Sequence, residues 1–258
     1  MRIRIPLFAA LLAAATAVSA QTLDEIVAKN IEARGGGARL RGIRSVRMAG
    51  TMTLGPGREA AVAFEFKRPR KLRQEVTVLG STAVTVYDGA AGWQVVPFAR
   101  KNDPEPLSAD ELKEMEEQSD IEGDLVDWKE KGSRVELIGR EIVDGRDAWK
   151  LRITLRTGTT RTAFLDAGTS LEIRGESVRK IQGADVEIVS VLGDYRDVSG
   201  VKIPFAIESR VKGATGPGQK VTFTSVELNV PVDDARFARP PAKPVAAPTP
   251  GKGGASGP

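Results

Sequence analysis

Apolar residues recur along the chain with two different spacings, that of a helix near its start and that of strands after it. Near its start, apolar residues recur at helical spacing at Leu23, Ile26, Val27 and Ile31. Thr22 and Glu25 form a capping box at the start of this run, in which each side chain binds the backbone amide of the other residue. The three glycines at residues 35–37 end it. The pattern predicts an N-terminal helix, followed by a short turn over residues 38–43.

Beyond residue 45 the apolar positions alternate with polar ones, which is typical of strands with one buried face. Val46, Met48, Met52 and Leu54 begin this pattern, and the apolar phase slips between Phe223 and Val226, which predicts a β-bulge near Thr224. Strands are predicted at or near residues 46–54, 61–67, 72–78, 84–86, 93–98, from residue 135 onward, and at 149–155, 161–165, 171–177, 186–192, 203–211 and 220–230. Many consecutive strands joined by short turns predict an antiparallel sheet curved toward a barrel.

The alternation breaks once, between Pro97 and Trp128. A proline-rich segment at residues 97–106 precedes a second capping box, Ser108 with Glu111, which opens an acidic helix that presents Leu112 and Met115 inward. Apolar residues at 121–128 predict a further short helix. The acidic run at residues 110–127 is either a solvated helix face or a docking site for a basic partner.

The ends of the chain differ in composition from the strands. Arg2 and Arg4, the apolar stretch at residues 5–18 and the small residues ending at Ala20 have the order of a secretory signal peptide. We therefore expect residues 1–20 to be removed, and the protein to be exported through the inner membrane to the periplasm. Residues 240–258 are rich in Pro, Ala and Gly, and predict a disordered tail after one domain at residues 21–239.

Composition argues against most classes of catalytic and metal site. The sequence contains no Cys and no His, which are the usual residues of zinc sites and of most hydrolase triads. The net charge is +4, with 38 basic and 34 acidic residues, which argues against a nucleic-acid partner. Ser177 and Lys180 have the S-x-x-K spacing of a serine hydrolase, but the flanking alternation predicts a strand that points them to opposite faces. We expect no enzyme activity, no cofactor and no metal.

Three short stretches resemble the periplasmic lipoprotein carrier family that comprises LolA and its receptor relative LolB. They are Phe66-Lys67-Arg68-Pro69, then Asp88-Gly89 with Gly92-Trp93 and Pro97-Phe98, and finally the run from Ala235 to Pro241. The resemblance covers residues 22–241 and implies an unclosed antiparallel barrel of about eleven strands, mainly β, with helices as a lid over an apolar cavity on the concave face. It also implies a carrier or sensor of lipoprotein acyl chains or free lipid, in outer-membrane lipoprotein sorting.

Two kinds of site residue follow. Arg68 lies on the same side of its predicted strand as the buried residues, where a charge needs a partner. The resemblance implies that the matching Arg of the family binds the lid backbone and holds the empty cavity shut, so Arg68 is the expected lid clamp. Alternatively, Arg68 extends from the strand end into water. Acyl chains bind by desolvation, which requires only apolar walls. The expected lipid-binding residues, for each of which ordinary core packing is the alternative, are Phe64, Phe66, Leu72, Val76, Trp93, Phe98, Leu112 and Met115.

Expected partners are acyl chains or other lipid and an inner- or outer-membrane receptor, with the protein itself a monomer. A second hypothesis is a non-enzymatic envelope adaptor for a transporter or signalling protein, which would bind through a sheet edge or the acidic helix. A third is a hydrolase without a recognisable motif. Apolar walls discriminate poorly among acyl chains, so the sequence does not name the ligand.

Overall fold

A computed structural model describes residues 21–181 and 183–241 of the chain. The expected signal peptide, residues 1–20, lies outside the described residues, and so does the expected tail at residues 240–258 except for its first two residues, Pro240 and Pro241. Three α-helices occur within the described part: α1 (Leu23–Ala33), α2 (Gly37–Arg41) and α3 (Ala109–Gln118). The strands are β1 (Ser45–Gly55), β2 (Arg58–Lys67), β3 (Lys71–Val78), β4 (Ser81–Tyr87), β5 (Gly92–Val96), β6 (Lys101–Pro106), β7 (Arg134–Val143), β8 (Arg146–Thr154), β9 (Thr160–Asp166), β10 (Glu172–Ile181), β11 (Ala184–Val198), β12 (Val201–Val211) and β13 (Gln219–Leu228).

The described strands form one antiparallel sheet, in the order β6-β5-β4-β3-β2-β1-β13-β12-β11-β10-β9-β8-β7. The first and last strands of the chain pair with each other in the middle, and β6 and β7 are the two unpaired edges. The predicted mainly β, unclosed antiparallel fold is confirmed, with thirteen strands in place of about eleven. Strand β6 lies in the segment interpreted from sequence as a proline-rich break. Its two prolines are accommodated because an edge strand needs hydrogen bonds on one side alone.

The position of β6 and β7 explains where the helices lie. These strands are consecutive in the chain but occupy opposite edges of the sheet, so residues 107–133 must cross its whole width. The crossing consists of α3 and a segment of turns at residues 119–133, called here the lid segment. The short helix predicted at residues 121–128 is therefore wrong. Gly123 and Asp127 have φ angles of 80° and 51°, which are left-handed. Helices commonly end at a residue in this conformation, so a helix begun at residue 121 would end within one turn.

Both capping boxes and the bulge are confirmed. Thr22 and Glu25 cap α1, and Ser108 and Glu111 cap α3, each pair through reciprocal side-chain and backbone bonds. In the β1–β13 pair, Ala49 lies opposite Ser225 and Gly50 lies opposite Phe223, so Thr224 is the extra residue. The two backbones approach closely here, since a Cβ atom on Gly50 would lie 2.2 Å from the Thr222 carbonyl oxygen.

One face of the sheet, called here the helical face, packs against all three helices. Helix α1 covers β7–β9 through Ile26 and Val27, and α2 and the lid segment cover the central strands through Leu40 and Val126. Helix α3 covers β3 and β4 through Met115. The opposite, outer face of β2–β6 is crossed by residues 231–241, whose Phe237 is fully buried. The apolar core is thus divided into separate clusters beneath separate helices.

Candidate functional site

A cavity of about 370 Å³ lies between the central strands and the helices, beneath the lid segment. Its size falls at the lower end of the range for ligand pockets in proteins, roughly 300–1,000 Å³. One wall is apolar, and consists of side chains from α2, the lid segment and strands on both sides of the β1–β13 pair. This wall comprises Leu40, Ile43, Val46, Met48, Phe66, Ile121, Leu125, Leu192, Val201, Ile203, Pro204, Ile207 and Leu228.

A polar wall closes the other end, and Arg161 of β9 is its centre. The Arg161 guanidinium binds the Glu172 carboxylate through two nitrogens, at 2.7 and 3.2 Å, and its Nε donates to Asp124 of the lid segment. Burial opposes the charge of Arg161, but Glu172 and Asp124 outweigh it and raise the pKa of this guanidinium above its ordinary value. The group is therefore a permanent cation that ties the lid segment to the sheet.

Two neutral side chains complete the polar wall. The Tyr195 hydroxyl donates a hydrogen bond to the Glu172 carbonyl oxygen at 2.7 Å, and burial, with the nearby Glu172 carboxylate, raises the pKa of its phenol. The Asn30 amide of α1 donates to the Ser170 carbonyl oxygen at 2.8 Å. Each of these polar side chains thus has a hydrogen-bond partner, as buried polar groups in proteins usually do.

Arg34, at the C-terminal end of α1, also lines the cavity. Its Nη1 donates to the Glu122 carbonyl oxygen at 2.8 Å. Burial lowers the pKa of this guanidinium, although Tyr195, Glu172, Asp124 and Asp120 act in the opposite direction from a distance. Within residues 21–181 and 183–241, no carboxylate oxygen lies within 4.0 Å of Arg34, in contrast to Arg161.

Arg68 anchors the lid segment from the other half of the sheet. Its Nη2 lies 2.6 Å from the Glu122 carboxylate, and its Nε donates to the Ile43 carbonyl oxygen at 2.6 Å. Two further bonds, each at 3.3 Å, run from Nη1 to the Glu122 carboxylate and from Nη2 to the Arg41 carbonyl oxygen. Since Glu122 also accepts from Arg34 through its carbonyl group, one lid residue holds two arginines. The expected role of Arg68 as a clamp stays a prediction, and this geometry is compatible with it.

The lid segment is also braced internally. Asp120 and Lys131 form an ion pair at 2.7 Å within it, and burial raises the pKa of the Asp120 carboxyl despite this partner. Asp127 binds the Arg41 guanidinium of α2 through both oxygens, at 2.6 and 2.7 Å. Charged bonds therefore hold the segment to itself, to α2 and to both halves of the sheet.

The structure places the expected lipid-binding residues in several surroundings. Phe66 lines the cavity. Leu72, Leu112 and Met115 pack together with Tyr87 and Leu107 beneath α3. The remaining four residues lie apart from one another. Phe64 packs edge-to-face on Phe223 with ring centres 5.9 Å apart, and Phe98 is 54% exposed in the turn after β5. Across the sheet, Val76 has Val62 and Ala83 as its neighbours, and Trp93 has Val86 and Pro106.

Trp93 lies on the outer face. Directly opposed residues of an antiparallel pair project to the same side, and Trp93 opposes Val86 whereas Gly92 opposes Tyr87. Tyr87 belongs to the cluster beneath α3, so Val86 and Trp93 face the other way. The lipid-binding role assigned to the eight residues stays a prediction, with Phe66 as the member that borders the cavity.

Sequence reasoning missed most of the cavity. Arg34, Arg161 and Tyr195 lie in three separate elements, and none of them is part of a motif. One signal was available for the apolar wall, because the alternation in β1 had marked Val46 and Met48 as a buried face. The polar wall had none, since Asp124, Arg161 and Glu172 come together through long-range pairing.

Two features are absent from residues 21–181 and 183–241. No helix among them is both long and apolar enough to cross a membrane. No group of three or more acidic side chains among them is placed to hold a metal ion.

Three solved structures share the fold over nearly their whole length. A domain assigned to outer membrane lipoprotein sorting from Vibrio parahaemolyticus has a TM-score of 0.54 at 11% identity, covering 83% of this chain and 94% of its own. A DUF1329 family protein from Desulfovibrio piger has a TM-score of 0.55 at 13% identity, covering 84% and 97%. A LolA superfamily protein from Nitrosomonas europaea has a TM-score of 0.54 at 15% identity, covering 85% and 99%.

The sequence itself matches no protein-family model and no curated protein. The likeness to the three solved structures is therefore one of architecture, at identities of 11 to 15%. It agrees with the resemblance carried by the three short motifs, and with the unclosed sheet covered by helices. The chain has the LolA-like fold.

Proposed function

We propose that this protein is a periplasmic carrier or sensor that binds acyl chains of lipoproteins or free lipid in the cavity beneath the lid segment. The observation that carries the proposal is the apolar wall of that cavity, which has about 370 Å³ of space beside it. A solid core would have closed this space, because protein interiors pack to the density of organic crystals. We therefore propose this apolar wall as the lipid-binding surface, in place of the eight residues expected from the sequence. Phe66 belongs to both sets.

The energetics of acyl-chain burial suit such a site. Each buried CH₂ group contributes about 0.8 kcal/mol, so a chain gains affinity without any specific polar contact. The wall supplies aliphatic side chains such as Leu192, Ile203 and Leu228, which offer contact area and no unpaired polar atoms. Transfer of a chain from a membrane then depends on how the lid segment opens and closes.

The lid segment is held by bonds that can open without disruption of the sheet. Arg68 and Arg161 reach it from opposite halves of the sheet, and their partners Glu122 and Asp124 are separated by a single residue. Release of these two ion pairs would expose the apolar wall. We propose that ligand uptake proceeds by this opening, as part of lipoprotein sorting at the outer membrane.

Native mass spectrometry tests this function. Wild-type protein purified from the periplasm of expressing bacteria should retain bound lipid. Met48→Trp should lose it, because Met48 lines the cavity and the larger ring fills it. Ile142→Trp is the matched control, since Ile142 is 68% exposed on the edge strand β7 and should retain lipid.

Three results would count against the proposal. Wild-type protein without lipid, or Met48→Trp with as much lipid as Ile142→Trp, would contradict a lipid site in the cavity. A stoichiometric bound protein in place of lipid would favour the envelope adaptor instead.

A further inference from the structure

We propose that the cavity selects a single-chain amphiphile with an anionic headgroup, a carboxylate or a phosphate, which Arg34 binds while the chain lies along the apolar wall. This inference rests on the proposed lipid-binding function. It names the class of ligand within that same site.

The electrostatic argument begins from the partners of each charged group around the polar wall. Arg161 contacts both Asp124 and Glu172, so one positive charge serves two carboxylates, and Lys131 pairs with Asp120. Every carboxylate of this wall therefore has a cation within ion-pair distance. Lys202, which also lines the cavity, lies 3.6 Å from Asp197.

Arg34 is the exception among these groups. Its guanidinium borders the cavity with one hydrogen bond, at 2.8 Å to the Glu122 carbonyl oxygen, and that bond uses a single N–H group. A guanidinium has five N–H donors in a planar fork that matches a carboxylate or phosphate in bidentate fashion. None of the nitrogen atoms of Arg34 is among the fully buried, unbonded side-chain atoms of the described residues. The unbonded donors of Arg34 are therefore accessible and not sealed inside the protein.

The physical cost of this arrangement points to a ligand. An N–H donor at a cavity wall is unfavourable without an acceptor, and an anionic group that enters the cavity would supply one. The same cavity presents aliphatic side chains at its other wall, so a molecule that fills it would place an anion at Arg34 and a hydrocarbon chain against residues such as Ile203 and Ile207. A fatty acid and a lysophospholipid both have this form.

The volume restricts the number of chains. A cavity of about 370 Å³ is close to the lower limit for small-molecule sites, about 300 Å³. Such a space suits one acyl chain with its headgroup in the closed state described here. We therefore infer a preference for single-chain over multiply acylated ligands.

The test compares probes that differ only at the headgroup. Purified, delipidated wild-type protein is titrated with cis-parinaric acid and with its methyl ester by fluorescence, and then with lysophosphatidylglycerol as a competitor. Loss of a charged hydrogen bond typically weakens binding by about tenfold or more. We expect the acid to bind at least about tenfold more tightly than the ester to wild-type protein.

Variants locate the selectivity. Arg34→Gln should bind the acid and the ester with equal affinity, and Arg34→Lys should retain part of the preference for the acid. Lys29→Gln is the matched control, because it removes one positive charge from the exposed side of the same helix and should bind as wild type does. Palmitate serves as a second competitor, with a carboxylate headgroup. If lysophosphatidylglycerol displaces the probe from wild-type protein and the Arg34→Gln substitution abolishes this competition, the preferred headgroup is a phosphate. If palmitate alone displaces the probe, the preferred headgroup is a carboxylate.

The outcomes separate this inference from the proposed function. Equal binding of acid and ester by wild-type protein would overturn the headgroup role of Arg34 and leave the lipid site intact. Binding of neither probe would overturn both. If Arg34→Gln does not fold, as judged by circular dichroism, the wild-type comparison of acid with ester and the Arg34→Lys variant still decide the question.

Discussion

The ion cluster at Arg161 offers the sharpest test of how the lid segment is held. Replacement of Arg161 by Met keeps the length of the aliphatic stem and removes the guanidinium. Asp124 and Glu172 then remain close together with no cation between them. The side chains of all three residues are about one-fifth exposed, so solvent compensates little of this loss.

The expected cost follows from that burial. Removal of one partner from a buried ion pair destabilises proteins by about 3–5 kcal/mol, since it leaves an uncompensated charge. We expect Arg161→Met to lower the free energy of unfolding by about this amount, a large part of the roughly 5–15 kcal/mol of a typical domain. The triple variant Arg161→Met, Asp124→Asn, Glu172→Gln should recover most of the loss, because neither former partner of Arg161 is then left as an unpaired carboxylate.

Urea denaturation at neutral pH measures these differences. Arg134→Met is the control, since Arg134 forms an exposed pair with Glu136 and should cost less than about 1 kcal/mol.

Two results would refute the reasoning. If Arg161→Met is as stable as Arg134→Met at neutral pH, the cluster does not anchor the lid segment. If the triple variant is no more stable than the single one, the loss arises from packing and not from unpaired charge.

Three further predictions concern the lid segment and the sheet. Arg68→Leu and Glu122→Gln should each speed the uptake of a fluorescent acyl probe in stopped-flow measurements, because each breaks the ion pair at 2.6 Å, and an uptake rate equal to that of Arg134→Leu would contradict a clamp. Burial raises the pKa of Asp120, so the folded protein binds more protons than the unfolded chain and its stability falls as the pH rises through that pKa. Asp120→Asn should remove this part of the decline when the free energy of unfolding is measured with urea at several pH values. An unchanged pH profile would contradict this role of Asp120. Gly50→Ala should destabilise the protein by about 1–3 kcal/mol, since its Cβ would lie 2.2 Å from a backbone oxygen, whereas Gly193→Ala, where the Cβ meets open space, should not.

The sequence contained enough information for the local architecture. Both capping boxes, the alternation of the strands and the bulge at Thr224 depend on neighbouring residues, and each of these appears as predicted. The lid segment was misread because apolar residues such as Leu125 and Val126 at close spacing fit a helix. The left-handed φ angles at Gly123 and Asp127 prevent a helix there.

The cavity depended on information that no local pattern contains. Val86 and Tyr87 are adjacent in β4 and both are buried, because residues 231–241 cover the outer face while α3 covers the helical face. Alternation therefore could not decide on which side Trp93 lies. Arg161 meets Asp124 across 37 residues of sequence, and this distance is closed only by the crossing of the sheet between β6 and β7.

The central claim is that an acyl chain occupies the space beneath the lid segment. A crystal structure of the protein grown with a terminally brominated fatty acid tests it directly, because the anomalous signal of bromine locates the chain without reference to any assumed position. We predict a bromine peak among Leu192, Ile203 and Leu228, with the carboxylate toward Arg34. A peak on the outer face or at an exposed strand edge, with the cavity unchanged, would contradict the account.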